Sequence, residues 1–118
     1  PLQYAAAWAL DHGDGLVDEI RSLYQTRATT LTRGLAASGW GDVPEPSGSM
    51  FAWAKIPRKL AGKSSRDAAT WLIEEAHVAL SPGTGFGPGG EGFLRFALIE
   101  DPPRVQEACA RIGKALAR

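Results

Sequence analysis

Residues 81–96 read Ser81-Pro82-Gly83-Thr84-Gly85-Phe86-Gly87-Pro88-Gly89-Gly90-Glu91-Gly92-Phe93-Leu94-Arg95-Phe96, and this stretch decides how the rest of the chain is interpreted. It holds six of the chain's 14 glycines and two of its eight prolines. Glycine reaches positive φ at low cost and proline fixes φ, so this composition predicts a tight loop whose path is set by the backbone. The apolar run 93–98 that follows predicts a strand.

The predicted strand 93–98 carries one charged residue, Arg95. Along a strand, Leu94, Phe96 and Leu98 share one face, and Phe93, Arg95 and Ala97 share the other. Burying an unpaired guanidinium is costly, so Arg95 needs a reason to be there. One interpretation is an edge strand or a solvated face, with Arg95 paired to Glu91. The other is a clamp for an anion, because a planar guanidinium meets a carboxylate with two parallel hydrogen bonds.

The remaining patterns predict four helices and two further strands. Helices are expected at 2–11, 15–38, from Ser64 or Ser65 to 76, and from Pro102 onward with Asp101 as its cap; strands are expected at 49–56, 77–80 and 93–98. At Asp11 the first helix stops; Gly13 is expected to take the left-handed position, and Asp14 to cap the next helix. The order favours an α+β domain over residues 1–118, with a small, mostly antiparallel sheet of about three strands packed by helices and preceded by a long helix.

The long helix predicted at 15–38 has one charged residue in its apolar stripe. The stripe consists of Leu16, Ile20, Leu23, Arg27, Leu31 and Leu35. Arg27 is interpreted mainly as an arginine whose stem lies on apolar surface while its head reaches water; ligand binding is the alternative. About 24 residues at 1.5 Å each give roughly 36 Å, which is long for a small domain. We therefore expect this helix to pack against something beyond its own core.

The bulk composition narrows the class of partner. The 118 residues include 13 basic and 13 acidic ones, and no long basic run is present. A nucleic-acid or membrane-surface partner is therefore not expected, and no run of about 18 apolar residues predicts a membrane span. The one cysteine, Cys109, lies in the apolar stripe of the last helix, which favours a buried, inert thiol and a cytoplasmic protein.

Motifs for known chemistries fail on context. Residues 85–90 fit G-x-G-x-x-G, but a strand rather than a helix follows, so a dinucleotide site is not predicted. No nucleophile–base–acid set and no desolvated lysine stand out, and no catalytic or cofactor-binding residue is assigned. Asp11, His12 and Asp14 are interpreted as a turn between helices rather than as metal ligands, and the lone His77 as structural.

Several segments, in order, resemble the C-terminal part of class I/II pyridoxal-phosphate-dependent aminotransferases of fold type I. The matching segments are Gln3-Tyr4-Ala5-Ala6, Tyr24 with Arg27, residues 46–57 (PSGSMFAWAKIP), residues 82–87 (PGTGFG) and residues 90–97 (GEGFLRFA). Together they cover nearly the whole chain. The resemblance implies an enzyme that moves an amino group between an amino acid and a 2-oxo acid through pyridoxal phosphate. It also implies that Arg95 binds the substrate α-carboxylate.

The chain departs from the family pattern at the cofactor. The family's Ser-Lys segment followed by Gly-Trp-Arg has no match here. We therefore expect the small domain with its linking helices, a missing N-terminal large domain as partner, a homodimer, no cofactor bound to this fragment, and no activity from the fragment alone. The alternative is a stand-alone, non-catalytic binding or regulatory module, or a structural fragment. A much longer reading frame favours the enzyme.

Overall fold

A computed structural model describes residues 1–118. Its helices and strands are α1 (Leu2–His12), α2 (Asp14–Ala37), β1 (Phe51–Lys55), α3 (Ser65–Ala76), β2 (Ser81–Pro82), β3 (Phe93–Ala97) and α4 (Pro102–Leu116). Short 3₁₀ turns lie at Arg58–Leu60, Gly83–Phe86 and Pro88–Gly90. The predicted α+β class, the order of elements and the three-stranded antiparallel sheet are confirmed. None of the helices is long and apolar enough to cross a membrane.

β3 is the central strand of the sheet. The strand order is β1-β3-β2, and both pairings are antiparallel. Arg95 lies opposite Trp53 of β1 on one side and opposite Ser81 of β2 on the other. The interpretation of residues 93–98 as an edge strand is therefore wrong, because β3 is paired along both of its edges.

The core fills the space between the sheet and the helices. In β1 the buried residues are Ala52 and Ala54, and directly opposite them in β3 lie the larger Phe96 and Leu94. Trp40 packs edge-on against Phe96, with ring centroids 5.3 Å apart. Small residues on β1 thus leave room for large ones on β3, and the opposite face of the sheet is left with Arg95.

α2 divides into a packed half and an exposed half. In its C-terminal half, Leu31 and Leu35 are buried against α4, where Cys109 is buried as predicted. Burial raises the pKa of the Cys109 thiol, because the charged form loses its solvation. In the N-terminal half Leu16 and Ile20 are exposed. This exposure fits the expectation that α2 extends beyond the core of its own domain.

The strand predicted at 77–80 is wrong. His77 takes a left-handed conformation with φ of 55°, and its backbone N–H donates to Ile73 O at 3.1 Å. The Val78 N–H also donates to Leu72 O, so these residues form the C-terminal end of α3 and do not pair with a strand. Pairing with β3 begins only at Ser81.

The turn between α1 and α2 also differs from the prediction. Gly13 has φ of −90°, not a left-handed value, and Asp14 is the first residue of α2 rather than its cap. His12 instead bonds Trp8 O through Nδ1 at 2.9 Å and stacks on the Trp8 ring. The two helices therefore follow one another with almost no loop.

Candidate functional site

Arg95 projects from the middle of β3 on the face opposite the core. Its Cζ lies 4.0 Å from the ring centroid of Phe51 and 4.0 Å from that of Phe86. Arg95 as a residue is half-buried, and its Nε is buried with no hydrogen-bond partner. A cation over an aromatic face is attracted by the ring quadrupole. Both contacts hold the side chain without supplying a negative charge.

Glu91 does not neutralise Arg95, so the predicted pairing of these residues is wrong. Its Oε1 accepts hydrogen bonds from the Ser65 N–H at 2.7 Å, the Gly92 N–H at 3.1 Å and the Ser65 hydroxyl at 3.2 Å. The backbone bond from Ser65 is the main cause that lowers the pKa of Glu91. Arg95 takes part in no ion pair, and its charge is free to meet an anion.

The glycine loop is specified by close contact between two backbone segments. A Cβ on Gly83 would lie 2.1 Å from Gly90 O, and one on Gly90 would lie 2.0 Å from Gly83 O. The two 3₁₀ turns therefore touch at positions where only glycine fits. This contact sets the path of the turn that carries Phe86. The loop leads into β3 rather than into a helix, in agreement with the rejection of a dinucleotide site.

The loop is also tied to the start of α3. Ser65 is fully buried; its hydroxyl shares its one hydrogen between Gly90 O and Glu91 Oε1, each at 3.2 Å, and accepts from the Gly92 N–H at 2.8 Å. Ser64, the cap of α3, accepts from Asp67 N–H. Because Ser65 bonds residues on either side of Glu91, helix α3 fixes the chain immediately before Arg95's strand.

A row of aromatic rings extends from the Arg95 site across the sheet. Trp53 lies edge-on to Phe86 with centroids 5.9 Å apart and stacks on Phe93 at 5.7 Å. On the other side of Arg95, Phe51 also lines a groove of about 640 Å³ between α2 and residues 46–51. The Arg95 site adjoins this groove through Phe51, and Arg95 itself does not line it.

Arg27 connects α2 to the residues before α4, and the prediction that its guanidinium reaches water is wrong. Its Nη2 donates to Asp101 Oδ1 at 2.8 Å and its Nη1 to Leu98 O at 3.2 Å. The Arg27 side chain is 12% exposed, while that of Asp101 is 75% exposed. Asp101 stands at the predicted cap position of α4 but makes no capping bond, because its carboxylate serves Arg27.

Sequence reasoning identified Arg95 but missed Phe51 and Phe86 as its contacts. For Phe51 a signal existed: it lies two residues from Trp53, the cross-strand partner of Arg95, and therefore on the same face. For Phe86 no signal existed in the pattern. Its ring reaches Arg95 from the turn Gly83–Phe86, which lies against Gly90 of the next turn.

Comparison with known proteins places the chain in a family. The family model for aminotransferase class I and II matches residues 1–112. The glutamate-pyruvate aminotransferase AlaC of Escherichia coli (strain K12) is 43% identical over 118 residues, which are 100% of this chain and 28% of that protein. The LL-diaminopimelate aminotransferase of Nitratidesulfovibrio vulgaris (strain DP4) is 36% identical over 113 residues, 96% of this chain and 28% of that protein.

A solved structure agrees with these sequence matches. The aromatic aminotransferase from Pyrococcus horikoshii OT3 has a TM-score of 0.85 at 31% identity, over 98% of this chain and 31% of that one. This chain belongs to the class I and II aminotransferases. It spans about 28% of the length of the curated relatives that it matches.

The residues of this chain do not by themselves fit pyridoxal phosphate. A lysine that forms a Schiff base needs a desolvated setting, whereas all four lysines of this chain are exposed. These lysines are Lys55, Lys59, Lys63 and Lys114. The glycine loop offers no helix N-terminus to a phosphate, since β3 follows it. No step through this cofactor is assigned to residues of this chain.

Proposed function

We propose that this chain is the C-terminal portion of an enzyme that transfers an amino group between an amino acid and a 2-oxo acid through pyridoxal phosphate. Its own contribution is Arg95, which binds the substrate α-carboxylate. The observation that carries the proposal is a half-buried arginine on the central strand with no acidic partner. Membership of the aminotransferase family supports the reaction class.

The chemistry of a carboxylate suits this site. Both terminal nitrogens of Arg95 are free of hydrogen bonds within the chain, and a carboxylate offers two oxygens at matching spacing. The two aromatic rings beside the guanidinium reduce its contact with water, which strengthens its attraction to an anion. Arg95 therefore binds and orients the acid group common to amino acids and 2-oxo acids.

The rest of the enzyme is proposed to cover α1 and the first half of α2. These helices expose large apolar side chains, of which Leu2 at 85% exposed is the extreme. The others are Tyr4, Trp8, Leu10, Leu16, Val17, Ile20 and Leu23. An exposed apolar surface of this extent is typical of an interface. We propose that a large N-terminal domain packs here and supplies the cofactor site, including the lysine.

A homodimer in the cytoplasm is proposed for the full-length enzyme. We propose that the large domain covers only part of the apolar surface of α1 and α2, and that the remainder packs against a second copy of the enzyme. Sedimentation of the full-length protein at micromolar concentration is expected to give twice the monomer mass. A monomer over that range would remove the dimer from the proposal.

The role of Arg95 is tested in the full-length protein with L-glutamate and pyruvate, the pair named for the E. coli relative. Arg95→Lys keeps the charge but loses the planar fork, so kcat/KM is expected to fall about 100-fold or more. The matched control is Arg111→Lys, an exposed arginine on α4 that pairs with Glu107. Equal activity of the two variants would contradict a substrate role for Arg95.

The proposed inactivity of the chain alone has a separate test. The 118-residue chain is mixed with pyridoxal phosphate and treated with borohydride. No lysine is expected to be labelled in preference to the other three. Selective labelling of one lysine would overturn the proposed division of the enzyme. A full-length protein that lacks transamination activity altogether would favour a non-catalytic binding module instead.

A further inference from the structure

The Arg95 guanidinium is enclosed by rings from two separate parts of the fold. Phe51 comes from β1, and Phe86 comes from the turn Gly83–Phe86. Each ring centroid lies 4.0 Å from Cζ of Arg95, so neither ring is the minor contact. A flat guanidinium offers its faces to aromatic rings and its N–H edges to anions, and here two rings lie within cation–π distance of it.

This arrangement limits how a ligand reaches Arg95. Nε is buried without a partner, so the side of the guanidinium that includes Nε is closed to a ligand. The terminal nitrogens Nη1 and Nη2 are neither buried nor hydrogen-bonded in the chain. An approaching carboxylate therefore meets these two nitrogens end-on, with both oxygens engaged.

We propose that Phe51 and Phe86 are positioning residues that fix the plane of the Arg95 guanidinium for this end-on contact. The inference rests on the proposed role of Arg95 as the ligand of the substrate carboxylate. A free arginine side chain populates many rotamers, and ordering it on binding weakens affinity. Rings on two sides restrict those rotamers before the ligand arrives, so less freedom is lost on binding.

Phe86 is the better of the two positions to change. The residue is 52% exposed, and its ring packs against Trp53 rather than within the core. Substitution at this position therefore removes the ring from Arg95 while leaving the buried contacts of the domain in place. Phe51 is partly buried and also lines the groove beside α2, so its substitution is a second, less isolated test.

The test compares Phe86→Leu, Phe86→Tyr and Phe51→Leu in the full-length enzyme. KM for pyruvate and the inhibition constant of propionate, a simple carboxylate, are the measured quantities. The leucine variants are expected to raise both about 3- to 10-fold, which corresponds to ordering one rotamer-rich side chain, with kcat within about twofold. Phe86→Tyr keeps the ring and is expected to retain the original values.

Phe93→Leu is the matched control, because Phe93 is an aromatic residue of the same face that stacks on Trp53 and not on Arg95. Its KM and propionate inhibition constant are expected to stay unchanged. The positioning role of Phe51 and Phe86 is overturned if Arg95→Lys weakens propionate binding but both leucine variants bind propionate normally. It is also overturned if Phe93→Leu weakens propionate binding as much as the other leucine variants do. If Arg95→Lys itself leaves propionate binding intact, the proposed carboxylate-binding role of Arg95 is wrong, and the positioning role of Phe51 and Phe86 is wrong with it.

Discussion

Arg27 and Asp101 join α2 to the beginning of α4 through an ion pair of 2.8 Å between Nη2 and Oδ1. The two partners sit in different surroundings, since the arginine head is mostly buried and the aspartate is mostly exposed. The same guanidinium donates to Leu98 O, immediately after β3. The Arg27 side chain of α2 therefore contacts both the residue before α4 and the segment that directly follows β3.

The asymmetry of this pair predicts the order of two substitutions. Asp101→Asn leaves a mostly buried cation without its charge partner and is expected to lower the free energy of unfolding by about 2 kcal/mol. Arg27→Met keeps an apolar stem and leaves an aspartate that water can solvate, so about 1 kcal/mol is expected. Urea denaturation of the chain measures both, and a larger loss for Arg27→Met would contradict the assignment.

Gly83 and Gly90 are expected to tolerate no side chain. A Cβ at either would lie about 2 Å from the other's carbonyl oxygen, so Gly83→Ala should force the two turns apart. Backbone strain of this kind costs on the order of 1–3 kcal/mol. Gly89→Ala in the same loop is the control, because nothing lies within 4 Å of its Cβ position. Thermal denaturation should separate the two variants clearly, and equal melting temperatures would refute the contact.

Gly34 and Cys109 provide a coupled pair at the contact of α2 with α4. A Cβ on Gly34 would lie 2.7 Å from Cys109 Sγ, so Gly34→Ala is expected to destabilise the chain by about 1–3 kcal/mol despite the better helix propensity of alanine. In a Cys109→Ala background the same change should cost clearly less. Additive effects in this double-mutant cycle would show that the two sites are independent.

A control for this cycle exists on the same helix. The Cβ position of Gly15 has no atom within 4 Å, so Gly15→Ala meets no steric obstacle. Because Gly15 is the second residue of α2 rather than an interior one, the change is expected to raise the free energy of unfolding by no more than about 0.5 kcal/mol. Its effect should be the same with and without Cys109→Ala.

Glu91 gives the chain a stability that depends on pH. Its pKa is lowered from 4.5, first by the backbone hydrogen bond from Ser65, so the folded state favours the charged carboxylate. A lowered pKa in the folded state contributes stability above the ordinary pKa, and this contribution is lost as pH falls through the folded value. The stability advantage of the wild-type chain over Glu91→Gln should therefore be full at pH 7 and shrink below pH 4.5.

The control for the pH experiment is Glu74→Gln, since Glu74 is an exposed carboxylate of α3 outside the hydrogen bonds and ion pairs of the structure. Denaturation midpoints of the three chains are compared between pH 7 and pH 3. A constant difference between the wild-type chain and Glu91→Gln across this range would contradict the role of the Ser65 bond.

Local sequence patterns predicted the structure correctly where the conformation depends on one helix, strand or loop alone. Helix stripes, the glycine-rich loop and the alternation of 93–98 predicted the class, the order of elements and the placement of Arg95 on the face opposite Leu94 and Phe96. The prediction at 77–80 failed because His77 adopts a left-handed conformation that continues the end of α3. That conformation depends on backbone bonds to Leu72 and Ile73, which apolar composition does not encode.

The sequence by itself determined that one arginine would interrupt an apolar strand after a glycine loop, because period-two alternation and backbone freedom are local properties. Only the tertiary structure decided what surrounds that arginine. In the folded domain β3 is the central strand, and Glu91 accepts a hydrogen bond from Ser65 instead of pairing with Arg95. Phe51 and Phe86 contact Arg95 from two different elements. Each of these outcomes depends on contacts between residues far apart along the chain, where packing of the whole domain selects among partners that a local pattern leaves equivalent.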